Sequence, residues 1–363
     1  MTDLIDPERR RLLGAGAVAV AGATLGFCSP ILAPARESPR ASGVEDELAS
    51  LRAATAWLNS APLTAGDLQG KVVLVDVGTY TCINWLRTLP YIRAWAGRYA
   101  SHGLAVIGVH APEFPFEHDL DNVRRAMMDM RVRHPVAVDN SFTIWSAFRN
   151  HYWPSRYLID GRGEIRHRQF GEGEYESSER AIQDALADAG AGDVSRELVS
   201  VAGQGIEAAP DWHDLKSPET YIGYERMENF ALSDRLEPNE RRIYAAPARL
   251  RLNRWALSGD WTVKRHSALL NRADGQVVMS FHARDLHLVM GPATRGVPVR
   301  FRVLLDGETP GVARGADVDA EGHGTITGPR LYQLIRQPKP IGDRQFAIEF
   351  LDAGAEAFAF TFG

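Results

Sequence analysis

The sequence is poor in cysteine: 363 residues hold only two, Cys28 and Cys82. A small scaffold stapled by several disulfides is therefore excluded, and stability must come from packed cores. Long apolar runs are missing too. The most apolar stretch, Gly14 to Phe27, is short and rich in glycine and alanine, whereas a spanning helix needs about 20 apolar residues. Basic excess is absent: the formal charge is −5 and the pI is near 6.1. That removes the electrostatic footprint of a nucleic-acid binder and leaves small molecules, proteins or glycans as partners. The eleven histidines are scattered without zinc-like spacing. Gly-x-Ser-x-Gly and a phosphate-cradling glycine loop are both missing, so neither metal nor cofactor is expected. No repeat of fixed period appears.

A chain of this length with 45% hydrophobic residues suits two packed domains. Residues 1–35 read as a twin-arginine signal peptide. Arg9-Arg10-Arg11-Leu12-Leu13 precedes the mild apolar stretch, and Ala33-Pro34-Ala35 offers small residues for cleavage. The expected location is periplasmic or extracellular, with membrane anchoring if the signal stays uncleaved. Cleavage after Ala35 would leave Cys82 as the sole thiol. Such a cysteine in an oxidising compartment is either buried and inert or kept for chemistry.

Residues 36–50 are polar and Pro/Ser-rich, a tether. From 51 to 190 apolar runs alternate with helical patterns. Lys71–Val77 and Leu104–His110 are continuous β-branched runs of strands buried on both faces. Between them Leu86, Leu89, Ile92, Trp95 and Tyr99 recur at helical spacing, with Pro90 inside. Strand, helix, strand is a βαβ unit. A helix at 120–130, strands near 135–138, 156–160 and 165–170, and a closing helix at 177–189 complete a mixed α/β sheet. Residues 191–215 are a Gly/Ala-rich linker. From 216 to 363 short alternating segments predict an antiparallel β-sandwich or jelly roll.

VVLVDVGTYTCINWLRTLP resembles the active-site segment of thioredoxin-fold proteins, in particular the exported TlpA-like and DipZ-like thiol–disulfide oxidoreductases linked to cytochrome c biogenesis. VIGVHAPEF and HYWPSRYLIDGRGEIRH extend the resemblance over residues 45–190. The segment from SPETYIGYE to FAFTFG is similar to the carbohydrate-binding-module-like domain found after the redoxin-type thioredoxin domain in some DipZ-like proteins. The resemblance implies an α/β thioredoxin fold followed by a β-sandwich. It implies a catalytic trio of Cys82, the buried carboxylate Asp76 and the acidic Glu113, and a cis-proline at Pro154. Thr79, Thr81, Trp85, Trp153 and Pro154 are the expected substrate-binding residues. Disulfides or thiols of proteins or small molecules are the implied substrates, and a membrane-associated electron donor is an implied partner.

Independently of family, a cysteine at the first turn of a helix meets unpaired N–H groups that favour the thiolate; the alternative is an ordinary buried cysteine. The departure is Trp85, which stands where a dithiol enzyme has its second cysteine. Self-resolution of a mixed disulfide is then lost, and an external thiol must complete exchange. Trp85 could also narrow access to the sulfur or wall a groove. Two other readings compete. Thr79, three residues before Cys82, with Arg149 or Arg156 as a cation, would suit single-cysteine peroxidase chemistry, although Val75 stands where that family has proline. A redox-inactive binding module would instead use Trp212, Tyr221, Tyr224, Trp255 and Trp261 as a glycan-stacking surface.

Overall fold

The structure, a computed structural model, describes residues 45–232 and 236–363. The signal segment read at residues 1–35 lies outside the described residues. The assigned tether, by contrast, is partly folded: α1 (Glu45–Ala49) and a 3-10 turn over Ser50–Ala53 carry Leu48 and Leu51 into the first core.

The first sheet contains β1 (Ala56–Leu58), β2 (Val72–Gly78), β3 (Leu104–His110), β4 (Val136–Val138), β5 (Ser155–Ile159) and β6 (Ile165–Phe170) in spatial order β1-β4-β3-β2-β5-β6. β2, β3 and β4 are parallel; β1, β5 and β6 run antiparallel to their neighbours. The central strand β2 is buried at every residue, which is why its sequence is a continuous apolar run rather than an alternating one. Val73, Val75 and Val77 face one core while Val72 and Leu74 face the other.

Five further helices flank this sheet: α2 (Ala65–Leu68), α3 (Ile83–Tyr99), α4 (Leu120–Asp129), α5 (Thr143–Ala147) and α6 (Tyr175–Asp188). The predicted apolar stripe of α3 is the buried one, with Leu86, Leu89, Ile92, Trp95 and Tyr99 all at most 1% exposed. Pro90 sits inside this helix without ending it. After a 3-10 turn the chain reverses at Gly103, whose φ of 97° suits glycine.

The expected linker is not free. Arg93 on α3 pairs with Glu207 at 2.6 Å, and the Val199 N–H donates to Glu179 on α6 at 3.0 Å. These bonds lay the segment along the first domain.

The second domain is antiparallel. It contains β7 (Thr220–Tyr221), β8 (Arg241–Tyr244), β9 (Trp255–Val263), β10 (Ala268–Leu270), β11 (Gly275–Phe281) and β12 (Asp285–Pro292). It continues with β13 (Val299–Leu305), β14 (His323–Ile326), β15 (Arg330–Arg336), β16 (Arg344–Phe350) and β17 (Ala355–Phe362). β9 belongs to two halves: Trp255–Ser258 pair with β11, and Trp261–Val263 pair with β10. At the switch Gly259 has φ 96°, and a Cβ there would stand 2.8 Å from the Gly275 Cα. One half runs β14-β13-β16-β11-β9 and the other β9-β10-β17-β12-β15. Side chains from both halves share one core, the arrangement of a β-sandwich-like domain. Trp255 and Trp261 lie in that core with no exposed surface, so neither offers a face to a sugar. Their size and apolarity are spent on packing. Trp212 is exposed, while Tyr221 and Tyr224 are half-buried.

The two domains touch over an apolar and polar interface. Phe358 on β17 packs on Phe114 and Phe116 with ring centroids 5.4 and 4.8 Å apart. Val289, Leu331 and Ala359 join the same cluster as the thioredoxin-side core. Arg87 on α3, 3% exposed, donates to the Phe362 carbonyl at 3.2 Å and pairs with Glu172 at 3.5 Å.

Candidate active site

Cys82 occupies the N-cap position of α3, at the carboxyl end of β2. Its placement follows from sequence: the buried run of β2 must stop, TYT forms the turn, and the apolar stripe of α3 begins. The thiol forms no disulfide and is 9% exposed. Its S–H donates to the Trp153 carbonyl at 3.9 Å, and the Trp153–Pro154 peptide is cis. The structure thus brings Cys82 and Pro154 together from positions far apart in the chain. Trp153 contributes its backbone here. Its indole is turned inward, tilted against Trp145 with ring centroids 4.4 Å apart and donating to the Ala111 carbonyl at 2.9 Å.

Trp85 does not wall an open groove, because its side chain is 3% exposed. The indole lies over Gly78, where any Cβ would collide with the ring, and its N–H donates to Asp76 Oδ2 at 2.9 Å. Burial pushes Asp76 up to about 6, against the Trp85 hydrogen bond and the charge of Arg156, its register partner on β5. Arg156 is buried as well, donating to the Gly173 carbonyl at 2.6 Å and lying over the Tyr175 ring at 5.3 Å.

Thr79 and Thr81 are fully buried rather than presented to a ligand. The Thr81 hydroxyl donates to Glu117 Oε1 at 2.6 Å, with its N–H at 3.3 Å from the same atom. Thr79 lies 3.4 Å from His110 Nε2, and burial holds that imidazole neutral, down to about 3. Glu117 is the carboxylate that sequence reasoning missed. It has no exposed surface and takes the N–H groups of Glu113 and Phe114 at 2.6 and 2.9 Å. Burial pushes it up to about 7; the Thr81 and Thr79 hydroxyls pull it down and the charge of Glu113 adds to the rise. One signal was available: Glu117 interrupts an aromatic run, FPFE, where a solvated loop would not need Phe114 and Phe116.

Glu113 itself faces the second domain. Its Oε1 accepts the Tyr221 hydroxyl at 2.7 Å and the Arg226 guanidinium at 2.9 Å.

The sheet order, the cysteine opening α3 and the cis-proline beside it define a thioredoxin-type site on an α/β thioredoxin fold, followed by a β-sandwich-like domain. Residues 217–363 match the family described as Thioredoxin like C-terminal domain. Protein DipZ of Mycobacterium tuberculosis is 31% identical over 318 residues, covering 86% of this chain and 42% of its own. The chain therefore spans less than half the length of that relative. Thiol-disulfide oxidoreductase YkuV of Bacillus subtilis is 27% identical over 37% of this chain and 89% of its own. A solved thiol-disulfide isomerase from Corynebacterium glutamicum aligns at 24% identity and a TM-score of 0.35, over 37% of this chain and 92% of that one. The chain has a thioredoxin fold in its first domain and is similar to DipZ across both domains.

Proposed function

We propose that this chain is an extracytoplasmic thiol–disulfide exchange protein that works with Cys82 alone and relies on an external resolving thiol. One observation carries the reading: a cysteine in no disulfide occupies the N-cap position of a 17-residue helix beside a cis-proline loop, while the position one turn on holds an indole tied to Asp76. The helix N-terminus stabilises thiolate, and no second sulfur is within the turn. The similarity to YkuV, a thiol-disulfide oxidoreductase by name, supports the chemistry, and Arg9-Arg10 with Ala33-Pro34-Ala35 supports export.

In the first step the Cys82 thiolate attacks one sulfur of a disulfide, forming a Cys82 mixed disulfide and expelling the other sulfur as thiolate. In the second an external thiolate attacks the mixed disulfide, forming a new disulfide and regenerating the Cys82 thiolate. No net oxidation occurs at the protein. Protein or small-molecule disulfides are the substrate class. The Thr81 hydroxyl on Glu117, a carboxyl that burial pushes up to about 7, supports a part for Glu117 in proton exchange beside the cysteine turn.

The test uses folded protein carrying Cys28→Ser, incubated with glutathione disulfide and read by intact mass. A single adduct that persists until reduced glutathione is added is expected, and none in Cys82→Ser. Adduct formation only after denaturation would sink the proposal.

A further inference from the structure

An unbroken hydrogen-bonded path runs from the β-domain to the residue beside the nucleophile. Arg226 and Tyr221 hold the Glu113 carboxylate, whose side chain is 5% exposed. The main-chain N–H of Glu113 donates to Glu117 Oε2, and Glu117 Oε1 accepts the Thr81 hydroxyl. Thr81 is covalently joined to Cys82. The clamp is itself braced: Arg226 lies over the Tyr221 ring at 3.6 Å, and Tyr221 is paired with Ala359 of β17.

We propose that Arg226 and Tyr221 are positioning residues for the Cys82 site, keeping Glu117 behind the cysteine in place and in charge balance through Glu113. The proposal rests on the reading of Cys82 as reactive. Its physical basis is repulsion between two carboxylates in one short loop. Glu113 raises the proton affinity of Glu117, and the Arg226 cation offsets much of that charge. The other groups facing the loop are Thr79, Tyr80, Thr81 and His110 from the first domain, with His118 and Asp119 following it and Arg125 on α4 acting on Tyr80. On the β-domain side Glu225, Arg265 and His266 surround Arg226. The two threonines bond to Glu117 directly, and Arg226 is the cation paired with Glu113, through which the site registers its removal.

The experiment measures the alkylation rate of Cys82 by iodoacetamide against pH, in the full folded chain carrying Cys28→Ser. Besides the titration of the thiol itself, wild type is expected to show a second inflection near pH 7 that Glu117→Gln removes. Arg226→Gln should move that inflection up by about one pH unit, Glu113→Gln should move it down, and Arg226→Lys should restore most of the wild-type profile. Tyr221→Phe, which keeps the charge, should move it less. A merely structural role would shift both charge variants in the same direction. If Arg226→Gln does not fold, the opposite shifts of Glu113→Gln and the rescue by Arg226→Lys still decide. Profiles that superimpose, or a wild type without the inflection, overturn the clamp while leaving the exchange reading intact. Absence of alkylation at every pH in folded protein overturns the exchange reading and the clamp with it.

Discussion

Trp85 supplies an N–H to a buried carboxylate, which a cysteine at that position could not do as well. Trp85→Cys would place a second thiol one helical turn from Cys82 but leave a void over Gly78. A loss of about 3–5 kcal/mol is expected from urea denaturation, together with disappearance of the persistent glutathione adduct as the new cysteine expels it. Glu117 makes a second prediction. Its folded value of about 7 lies above its ordinary 4.5, so between these two pH values the folded state holds a proton that the unfolded state lacks. Stability from this group is therefore full below about pH 4.5 and is lost as pH rises through 7. The stability difference between wild type and Glu117→Gln should shrink by about 1–3 kcal/mol between pH 5 and 8. A constant difference would contradict it. Asp76, Cys82 and Pro154 were legible because each occupies a fixed step of a local pattern. Glu117 was not, because Glu113 and Glu117 share one loop and only the packed fold determines which turns toward Thr81. Tyr221 and Arg226 lie 108 and 113 residues from Glu113, a separation across which no periodicity speaks.

Among elements, β2 and α3 form a matched pair whose junction is Gly78 against Trp85. Gly78→Ala would drive a methyl into a ring that Asp76 holds by hydrogen bond, so it should cost about 2 kcal/mol in the denaturation midpoint. In a Trp85→Ala background the same change should cost far less, and a double-mutant cycle measures the coupling. Strands with unbroken apolar runs, β2 and β3, were readable because burial on both faces leaves one kind of residue. β9 was not. Its SGD segment reads as a turn, yet Gly259 lets the strand change partners there without ending. β15 is ambiguous for a related reason: RLYQLIR mixes arginines and a glutamine into a strand whose middle is buried, where the Gln333 amide donates to Asp285 at 3.3 Å.

For the molecule as a whole, composition divided the chain into two domains but did not show their contact, since complementary surfaces leave no one-dimensional trace. Phe114 and Phe116 on Phe358, Arg87 on the Phe362 carbonyl, and Glu113 on Arg226 together bind the halves. A single calorimetric transition is expected, with calorimetric and van't Hoff enthalpies agreeing. Arg87→Ala removes the cation hydrogen-bonded to buried Glu172, leaving the charge of Arg156 alone, so it should cost about 3 kcal/mol and separate the transition into two. Two resolved transitions in wild type would contradict this coupling. β17 gives the interface a history as well as a shape. The ribosome makes the first domain early and β17 late, so Phe114 and Phe116 wait for Phe358 through roughly ten to fifty seconds of translation. A nascent chain in that interval carries an apolar face beside a sulfur, a species that folding helpers must shield until the final strand arrives.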